Sequence, residues 1–190
     1  MNKNNRNQRR NQIEEHKHKC SFHKPSKTAF LFIPKNSSTS IRSIAGNGRQ
    51  NWDRETYLYK VSYNRVCVIL RDPAERFMSA LNMFLGPREF TNFIGINENR
   101  LHTTDVHFQK QVDQIADIPR DKIDFFYMEN GVIGKIMKYY GIKHPDLHKN
   151  KANVHKKIVT QCNEDIIRKV YEEDYKLIDS VDFVNKDALL

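Results

Sequence analysis

The amino-acid sequence predicts a single α/β domain with a central parallel sheet flanked by helices. Short, continuously apolar stretches alternate along the chain with stretches whose apolar residues recur at helical spacing, which is typical of a parallel sheet covered by helices. The chain has 190 residues, of which 38% are hydrophobic, and this supports one sizeable core rather than two. No stretch reaches the roughly 20 consecutive apolar residues that a membrane span requires.

Two continuously apolar stretches, at residues 28–33 and 66–70, are predicted as buried strands, and residues 123–128 are a third candidate strand. Helical spacing predicts helices at residues 41–45, 74–84, 108–118, 132–140 and 163–178. Asp72 suits the cap of the second of these helices, and Pro73 suits its first turn. Residues 49–65, in which aromatic residues partly alternate, are compatible with a strand or with an irregular connection.

Basic residues are concentrated at the start of the chain. The formal net charge is +9, and residues 1–28 hold eight Lys and Arg against two Glu. Because this stretch is nearly free of apolar residues before Phe22, residues 1–24 are predicted as a basic, disordered tail and residues 25–190 as the folded domain. The tail either serves solubility or contacts an anionic partner through charge alone.

The cysteines indicate a reducing compartment. Three of them lie far apart in the chain: Cys20, Cys67 and Cys162. Their odd number and wide spacing are unlike a disulfide framework, so free thiols are predicted. Because no stretch could serve as a membrane anchor, the protein is expected in the cytoplasm of a bacterium or of a virus-infected cell. His16, His18 and His23 lie near the first cysteine, but no complementary cluster supports a metal site, and no metal is predicted.

The loop after the first predicted strand places a lysine and several hydroxyls before a helix. It reads Pro34-Lys-Asn-Ser-Ser-Thr-Ser40. Main-chain amides at a helix N-terminus favour an anion and hydroxyls add donors, so this loop is a candidate phosphate site, with ordinary helix capping as the alternative. It is not a Walker A loop, because its lysine precedes the hydroxyls and it contains no glycine.

The loop after the second predicted strand favours the phosphate interpretation. It reads Arg71-Asp-Pro-Ala-Glu-Arg-Phe-Met-Ser79. Together the two loops resemble the sulfotransferases that use 3′-phosphoadenosine 5′-phosphosulfate, whose signatures are P-K-x-G-x-T-S and R-D-P-x-x-R-x-x-S. All fixed positions of the second signature are present, whereas Ser37 and Ser38 stand where glycine is usual in the first. A weaker similarity to the Golgi-type carbohydrate sulfotransferases continues, in the family's order, through residues 105–111, 124–130, 150–157 and 170–178.

The resemblance implies a P-loop-NTPase-like sulfotransferase fold. It also implies transfer of a sulfuryl group to a hydroxyl or amine of a glycan or small metabolite, with 3′-phosphoadenosine 5′-phosphate as product and no metal. Lys35 is expected to neutralise charge on the leaving phosphate, Arg71 with Ser79 to hold the 3′-phosphate, and Arg76 to serve as a structural brace. The cofactor contacts implied by the resemblance are Lys35, Asn36, Ser37, Ser38, Thr39, Ser40, Arg71, Ser79, Asn153 and Lys156.

The base that activates the acceptor is expected to be a histidine, since the ordinary histidine pKa lies near neutral pH. His107 is the first choice, because it falls in the family-like stretch 105–111, two residues after Asp105. His102 and Glu129 are the alternatives.

Two other functions fit parts of the sequence. A nucleotide kinase-like phosphotransferase would share the sheet topology, but it would need magnesium and the lysine of a Walker A loop, which is missing here. A non-catalytic binder of anions or nucleic acid would use the basic tail, although no base-reading or stacking motif accompanies the tail. No specific nucleic acid partner is predicted, and the sequence leaves the acceptor and the oligomeric state open.

Overall fold

The computed structural model describes residues 18–48, 50–84, 105–143 and 164–186. The strands are β1 (Lys19–His23), β2 (Thr28–Leu31), β3 (Trp52–Tyr57), β4 (Arg65–Leu70) and β5 (Ile123–Tyr127). The helices are α1 (Ser38–Asn47), α2 (Pro73–Phe84), α3 (Gln111–Ile115), α4 (Val132–Tyr139), α5 (Glu164–Val170) and α6 (Glu172–Ser180). The strands form one sheet in the order β3-β1-β2-β4-β5. None of the helices in the described ranges is long and apolar enough to cross a membrane.

The sheet is mixed, which corrects the prediction of a parallel sheet. β2, β4 and β5 run parallel, as the alternation of strands and helices predicts. β1 runs antiparallel to both β2 and β3. Residues 24–27 alone join β1 to β2, and so short a connection links antiparallel strands but not parallel ones.

β1 lies inside the stretch 1–24 that the sequence assigns to the tail, so the folded domain begins before residue 25. The strand has few apolar residues, yet most of it is buried because β2 and β3 flank it. Its polar side chains are paired, since Ser21 Oγ donates to Arg54 O at 2.5 Å and His23 Nδ1 lies 2.8 Å from Ser26 Oγ. Cys20 and Phe22 alternate with polar residues in this strand, but the surrounding stretch is basic and poor in apolar residues, and this is why the sequence analysis assigned it to the tail.

Helices cover both faces of the sheet, as predicted, and the apolar residues of the strands alternate between the faces. Phe30 and Phe32 belong to the core beneath α1 and α4, whereas Leu31 and Ile33 belong to the core beneath α3 and α6. The residues of β4 alternate in the same way. A third cluster joins α2 to α5, and its buried members are Phe77, Ala80, Leu81, Phe108, Ile167 and Tyr171.

Three predicted helices differ in extent from the observed ones. The helix predicted at 41–45 is longer, since α1 begins at Ser38 and ends at Asn47. The helix predicted at 163–178 is divided at Tyr171, which lies between α5 and α6 with φ −105° and ψ 23°. The ring of Tyr171 is buried and its hydroxyl donates to Phe108 O at 2.6 Å, so this contact fixes the residue outside regular helical geometry. The helix predicted at 108–118 is limited to α3, because Lys110 still has an extended ψ of 142°.

The chain after α6 runs along the outer edge of β5. Phe183 forms a parallel bridge with Phe125, and Val184 N donates to Phe125 O at 2.9 Å. The side chain of Asn185 continues this pairing, because its Oδ1 accepts from Tyr127 N at 2.8 Å and its Nδ2 donates to Tyr127 O at 3.0 Å. The amide of Asn185 thus takes the place of the backbone of a sixth strand.

Candidate functional site

The loops that follow β2, β4 and β5 are in contact at one edge of the sheet, which we call the carboxyl edge. Asn36 Nδ2 donates to Ile69 O at 2.7 Å and so ties the first loop to β4. Ser37 Oγ lies 3.2 Å from Met128 Sδ, which follows β5. Met128 N in turn donates to Leu70 O at 2.7 Å. The sequence predicts this convergence, since the carboxyl ends of parallel strands share one edge.

The loop between β2 and α1 has an unusual backbone. Lys35 and Ser37 have φ values of 69° and 61°, in the left-handed region that glycine adopts readily and other residues rarely do. Ser37 stands where the family signature has glycine, and its side chain makes no capping hydrogen bond to α1. The substitution therefore keeps a backbone conformation that glycine would adopt with less strain. The other hydroxyls of the loop lie in the first turn of α1: Ser38, Thr39 and Ser40.

Replacing Ser37 with glycine is expected to stabilise the protein by up to about 1 kcal/mol, because relief of the left-handed strain (~1–2 kcal/mol) exceeds the added backbone entropy (~0.5–1 kcal/mol). Ser38→Gly is the matched control, since Ser38 lies in α1, where glycine is expected to destabilise by ~0.5–1 kcal/mol. Urea unfolding of both variants measures the difference. Equal destabilisation by the two substitutions would contradict the strain assigned to Ser37.

Lys35 and Arg71 bring two positive charges together at the carboxyl edge. Arg71 Nη1 donates to Lys35 O at 3.3 Å, and Arg71 Nε lies 3.3 Å from Glu75 Oε2. The Lys35 ammonium lies 3.7 Å from Met83 Sδ. Burial lowers the pKa of Lys35, and the neighbouring Arg71 lowers it further. Positive charge is therefore concentrated here, and the Glu75 carboxylate balances part of it.

Gln111 connects both motif loops, a role that the sequence analysis missed. Its side chain is fully buried, and its Oε1 accepts from Asn36 Nδ2 at 2.6 Å and from Arg71 N at 3.0 Å. Its Nε2 donates to Arg71 O at 2.9 Å. Its backbone N–H donates to Asp174 Oδ2 at 3.0 Å, so α6 supports the same group. The available signal is that residue 111 matches the glutamine that ends the family segment similar to 105–111.

Asn36 and Arg76 act within the protein. Asn36 is only 1% exposed, and its Nδ2 donates to Ile69 O and to Gln111 Oε1, so its side chain anchors the loop. Arg76 is fully buried in α2, and its Nε donates to Pro34 O at 3.1 Å, in agreement with the predicted brace. Ser79 lies three residues further along α2 and is partly buried.

His107 is held by a carboxylate, as a general base often is. Its Nδ1 lies 2.7 Å from Asp105 Oδ1, and its backbone N–H donates to the same oxygen at 2.8 Å. Glu129, an alternative base, accepts hydrogen bonds from Lys135 Nζ at 2.8 Å and Asn185 Nδ2 at 2.5 Å. These two hydrogen bonds hold the pKa of Glu129 below its ordinary value. Because a carboxylate stabilised in its charged form is a weaker base, His107 is the better candidate.

Tyr127 is a second residue at the carboxyl edge that the sequence analysis missed. It ends β5 and is partly buried. Burial raises the pKa of its hydroxyl, and the carboxylates of Asp72 and Glu75 raise it further. Lys186 Nζ lies 4.9 Å from the centroid of its ring. A tyrosine that keeps its proton is a hydrogen-bond donor, so Tyr127 is a candidate ligand contact.

Part of the expected site lies outside the described residues, namely His102, Asn153 and Lys156. Among the residues that the structure describes, no group of three or more His, Cys, Asp or Glu is arranged to hold a metal ion. Cys20 is fully buried in β1, and burial raises the pKa of its thiol to about 12. A thiol in this state is neither a metal ligand nor a nucleophile at neutral pH.

Neither a protein-family model, nor a curated protein, nor a solved structure matches this chain. What the site does chemically must therefore follow from its own groups. At the carboxyl edge these are two cations, a loop with left-handed residues and the N-terminus of α1. The segment that leads into α3 adds a histidine paired with a carboxylate. Such groups suit the binding of an anion and the removal of a proton.

Proposed function

We propose that this protein transfers a sulfuryl group from 3′-phosphoadenosine 5′-phosphosulfate to a hydroxyl or amine of an acceptor. The observation that carries the proposal is the 3.3 Å hydrogen bond from Arg71 to the Lys35 carbonyl, because it joins the two loops that resemble the family's cofactor-binding signatures. The resemblance names the donor. The contact supports it, since one ligand at this point would touch both loops.

The residues of the two loops fit a bisphosphate in charge and in backbone geometry. Lys35 and Arg71 are like charges held close together, and a phosphate between them would offset their repulsion. Left-handed residues that alternate with other conformations turn backbone N–H groups toward one side, an arrangement that binds anions, and Lys35 and Ser37 are such residues. The N-terminus of α1 adds the favourable end of the helix dipole.

Sulfuryl transfer resembles phosphoryl transfer in its need for positioning and charge stabilisation. The donor supplies the sulfuryl group, whose bond to the phosphate oxygen breaks as its bond to the acceptor forms. Lys35 would neutralise the charge that gathers on the leaving phosphate, and Arg71 with Ser79 would hold the 3′-phosphate. Asp105 would keep the His107 proton on Nδ1, so that Nε2 takes the proton of the acceptor.

Calorimetric titration with 3′-phosphoadenosine 5′-phosphate, in the absence of magnesium, tests the proposal. We expect the wild-type protein to bind the bisphosphate. Arg71→Ala should weaken this binding about 10- to 100-fold, because a charge-assisted hydrogen bond to phosphate contributes about 1.5–3 kcal/mol. Lys35→Ala should weaken it as well. Arg120→Ala is the matched control, since Arg120 is exposed at the opposite, amino end of β5, and it should leave the affinity unchanged.

Glu75→Gln should have the opposite effect on bisphosphate affinity in this titration. The Glu75 carboxylate is paired with Arg71 and would lie near the bound phosphate, so loss of its charge should tighten bisphosphate binding about two- to fivefold. A preference for ATP with a requirement for magnesium would favour the nucleotide kinase alternative. Absence of binding to either nucleotide would exclude the sulfotransferase proposal.

A further inference from the structure

Two tyrosines and a lysine form an exposed cluster directly after β3. The rings of Tyr57 and Tyr59 are stacked, with centroids 5.4 Å apart and an interplanar angle of 29°. Lys60 Nζ lies 5.3 Å from the Tyr57 centroid and 5.7 Å from the Tyr59 centroid. Tyr59 is 75% exposed, the highest exposure of any large hydrophobic residue in the described part of the chain. We call these three residues the tyrosine platform.

The platform is carried by an anchored stretch of backbone. Tyr57 is the last residue of β3, and residues 58–60 form a single turn of 3₁₀ helix. Leu58 is buried in the core, and its backbone N–H donates to His18 O at 2.9 Å. The turn closes with a hydrogen bond from Val61 N to Leu58 O. The two rings are therefore presented in a fixed place although Tyr59 is exposed.

The platform lies at the carboxyl edge, together with the Lys35 and Arg71 loops. β1 is antiparallel to both β2 and β3, so β3 runs in the same direction as β2 and ends at the same edge. The register agrees with this, because Tyr57 lies opposite Lys19, whose carbonyl accepts from Phe32 N at 2.8 Å. With β1 between them, the ends of β3 and β2 are two strand spacings apart, about 10 Å.

The chemistry of the platform favours a ring that has one apolar face and one negative group. The face of a tyrosine ring is rich in electrons, so it attracts the C–H bonds of a sugar ring or the edge of an aromatic ring. Lys60 lies beside both tyrosines and offers a positive charge to a carboxylate. Stacked aromatic rings left in water also keep apolar surface exposed, and a ring that covers them is bound more favourably for this reason.

The neighbouring charges argue against a nucleic acid as the ligand. Glu55 pairs with Lys19 Nζ at 3.2 Å and with Arg42 Nε at 3.4 Å. Asp53 pairs with Lys24 Nζ at 2.9 Å. The carboxylates of β3 thus balance three basic groups along the strand, and of these Lys19 is the one that lies opposite Tyr57. A phosphate backbone is followed by a continuous positive groove, whereas a single carboxylate requires one cation.

We infer that the tyrosine platform is an acceptor subsite for a six-membered ring that carries one carboxylate, the chemistry shared by acidic sugars and aryl acids. The inference rests on the proposed function, because it assigns the platform to the acceptor of that transfer. The bound ring would hold one part of the acceptor at the end of β3, and the acceptor would extend from there past the end of β2 to bring its reacting hydroxyl or amine to Lys35.

Saturation-transfer NMR titrations of the full chain with glucuronate, glucose and benzoate test the subsite. We expect glucuronate, benzoate or both to bind more tightly than glucose. Comparing glucuronate with benzoate shows whether a sugar ring or an aromatic ring is preferred. Tyr59→Ala should weaken this binding about five- to tenfold, and Tyr59→Phe should retain it. Lys60→Gln should remove the preference for a carboxylate. Tyr139→Ala is the matched control, since Tyr139 is 52% exposed on α4, and it should change nothing.

The outcomes separate this inference from the proposed function. The inference is overturned if neither carboxylate binds, if Tyr59→Ala binds as the wild type does, or if a single-stranded oligonucleotide binds through Tyr59 more tightly than either carboxylate. In each of these cases, bisphosphate binding that depends on Arg71 would leave the proposed function standing. Carboxylate binding that depends on Tyr59, in a protein that does not bind the bisphosphate, would show a carboxylate site on the platform but would reject both the sulfotransferase and the role of the platform as its acceptor subsite.

Discussion

Asp174→Ala is expected to destabilise the protein by about 2–6 kcal/mol, because two backbone N–H groups lose their acceptor and each group left unsatisfied costs about 1–3 kcal/mol. Asp174 is fully buried in α6. Its two oxygens accept backbone N–H groups from Gln111 at 3.0 Å and Val112 at 2.9 Å, so α3 loses both acceptors. Its charge also acts on the buried guanidinium of Arg76, whose pKa burial lowers and Asp174 raises. Urea unfolding measures the loss.

Asp179→Ala is the matched control, because Asp179 is exposed on the same helix and its loss should change the unfolding free energy by less than about 0.5 kcal/mol. Burial raises the pKa of Asp174 in the folded protein above its value in the unfolded chain. Between these two values the folded protein keeps the proton and the unfolded chain releases it, so the contribution of Asp174 to stability falls as the pH rises. Asp174→Asn should lack this fall, and an identical pH profile for wild type and variant would contradict the assignment.

Gln111→Ala is expected to destabilise the protein by about 2–4 kcal/mol, because Arg71 N and O are left without their partners and a buried side chain is removed. The substitution should also weaken bisphosphate binding, since Gln111 holds the backbone of Arg71 and the side chain of Asn36 in place. Unfolding in urea and calorimetric titration, at a temperature where the variant is folded, measure the two effects.

Gln114→Ala is the matched control for Gln111→Ala. Gln114 is a second buried glutamine of α3, and its Nε2 has no hydrogen-bond partner among the described residues. Its removal leaves a similar cavity without separating the motif loops, so it should be the milder change and should not affect the bisphosphate. If both variants bound the bisphosphate as the wild type does, Gln111 would have a structural role only.

The parts of the fold that were predicted from sequence are those with a continuous apolar run or a regular helical spacing. β2, β4 and β5 were predicted in this way, and their parallel order follows from the helices between them. β1 was not, because its two apolar residues, Cys20 and Phe22, stand in a basic stretch, and the buried Ser21 is paired only through Arg54 O, 33 residues away. The break at Tyr171 has the same origin, since it depends on a hydrogen bond to Phe108, 63 residues away.

The residues of the candidate site were likewise predicted where the signal is local in sequence and missed where it is not. The motif residues Lys35 and Arg71 are local in sequence, and the rule for carboxyl ends of parallel strands brings them together. The support given by Gln111 depends on three hydrogen bonds to residues 40 and 75 positions away, which a single sequence does not encode in any local signal. The stacked pair Tyr57 and Tyr59 lies in the stretch 49–65, where the sequence allowed two conformations, so the stacking of its rings was not foreseen.

The two outer strands also determine how this sheet avoids growing by addition of strands from other molecules. On β5, Phe125 O is taken by Val184 N, and the N–H and C=O of Tyr127 are taken by Asn185, so an incoming strand finds these groups already bonded. On β3, the run of charged residues 53–55 discourages the same event by the cost of burying charge. Residues 183–185 therefore protect the protein against aggregation. Mutations that loosen Asn185 would expose the edge of β5 to the addition of another strand before they unfold the domain.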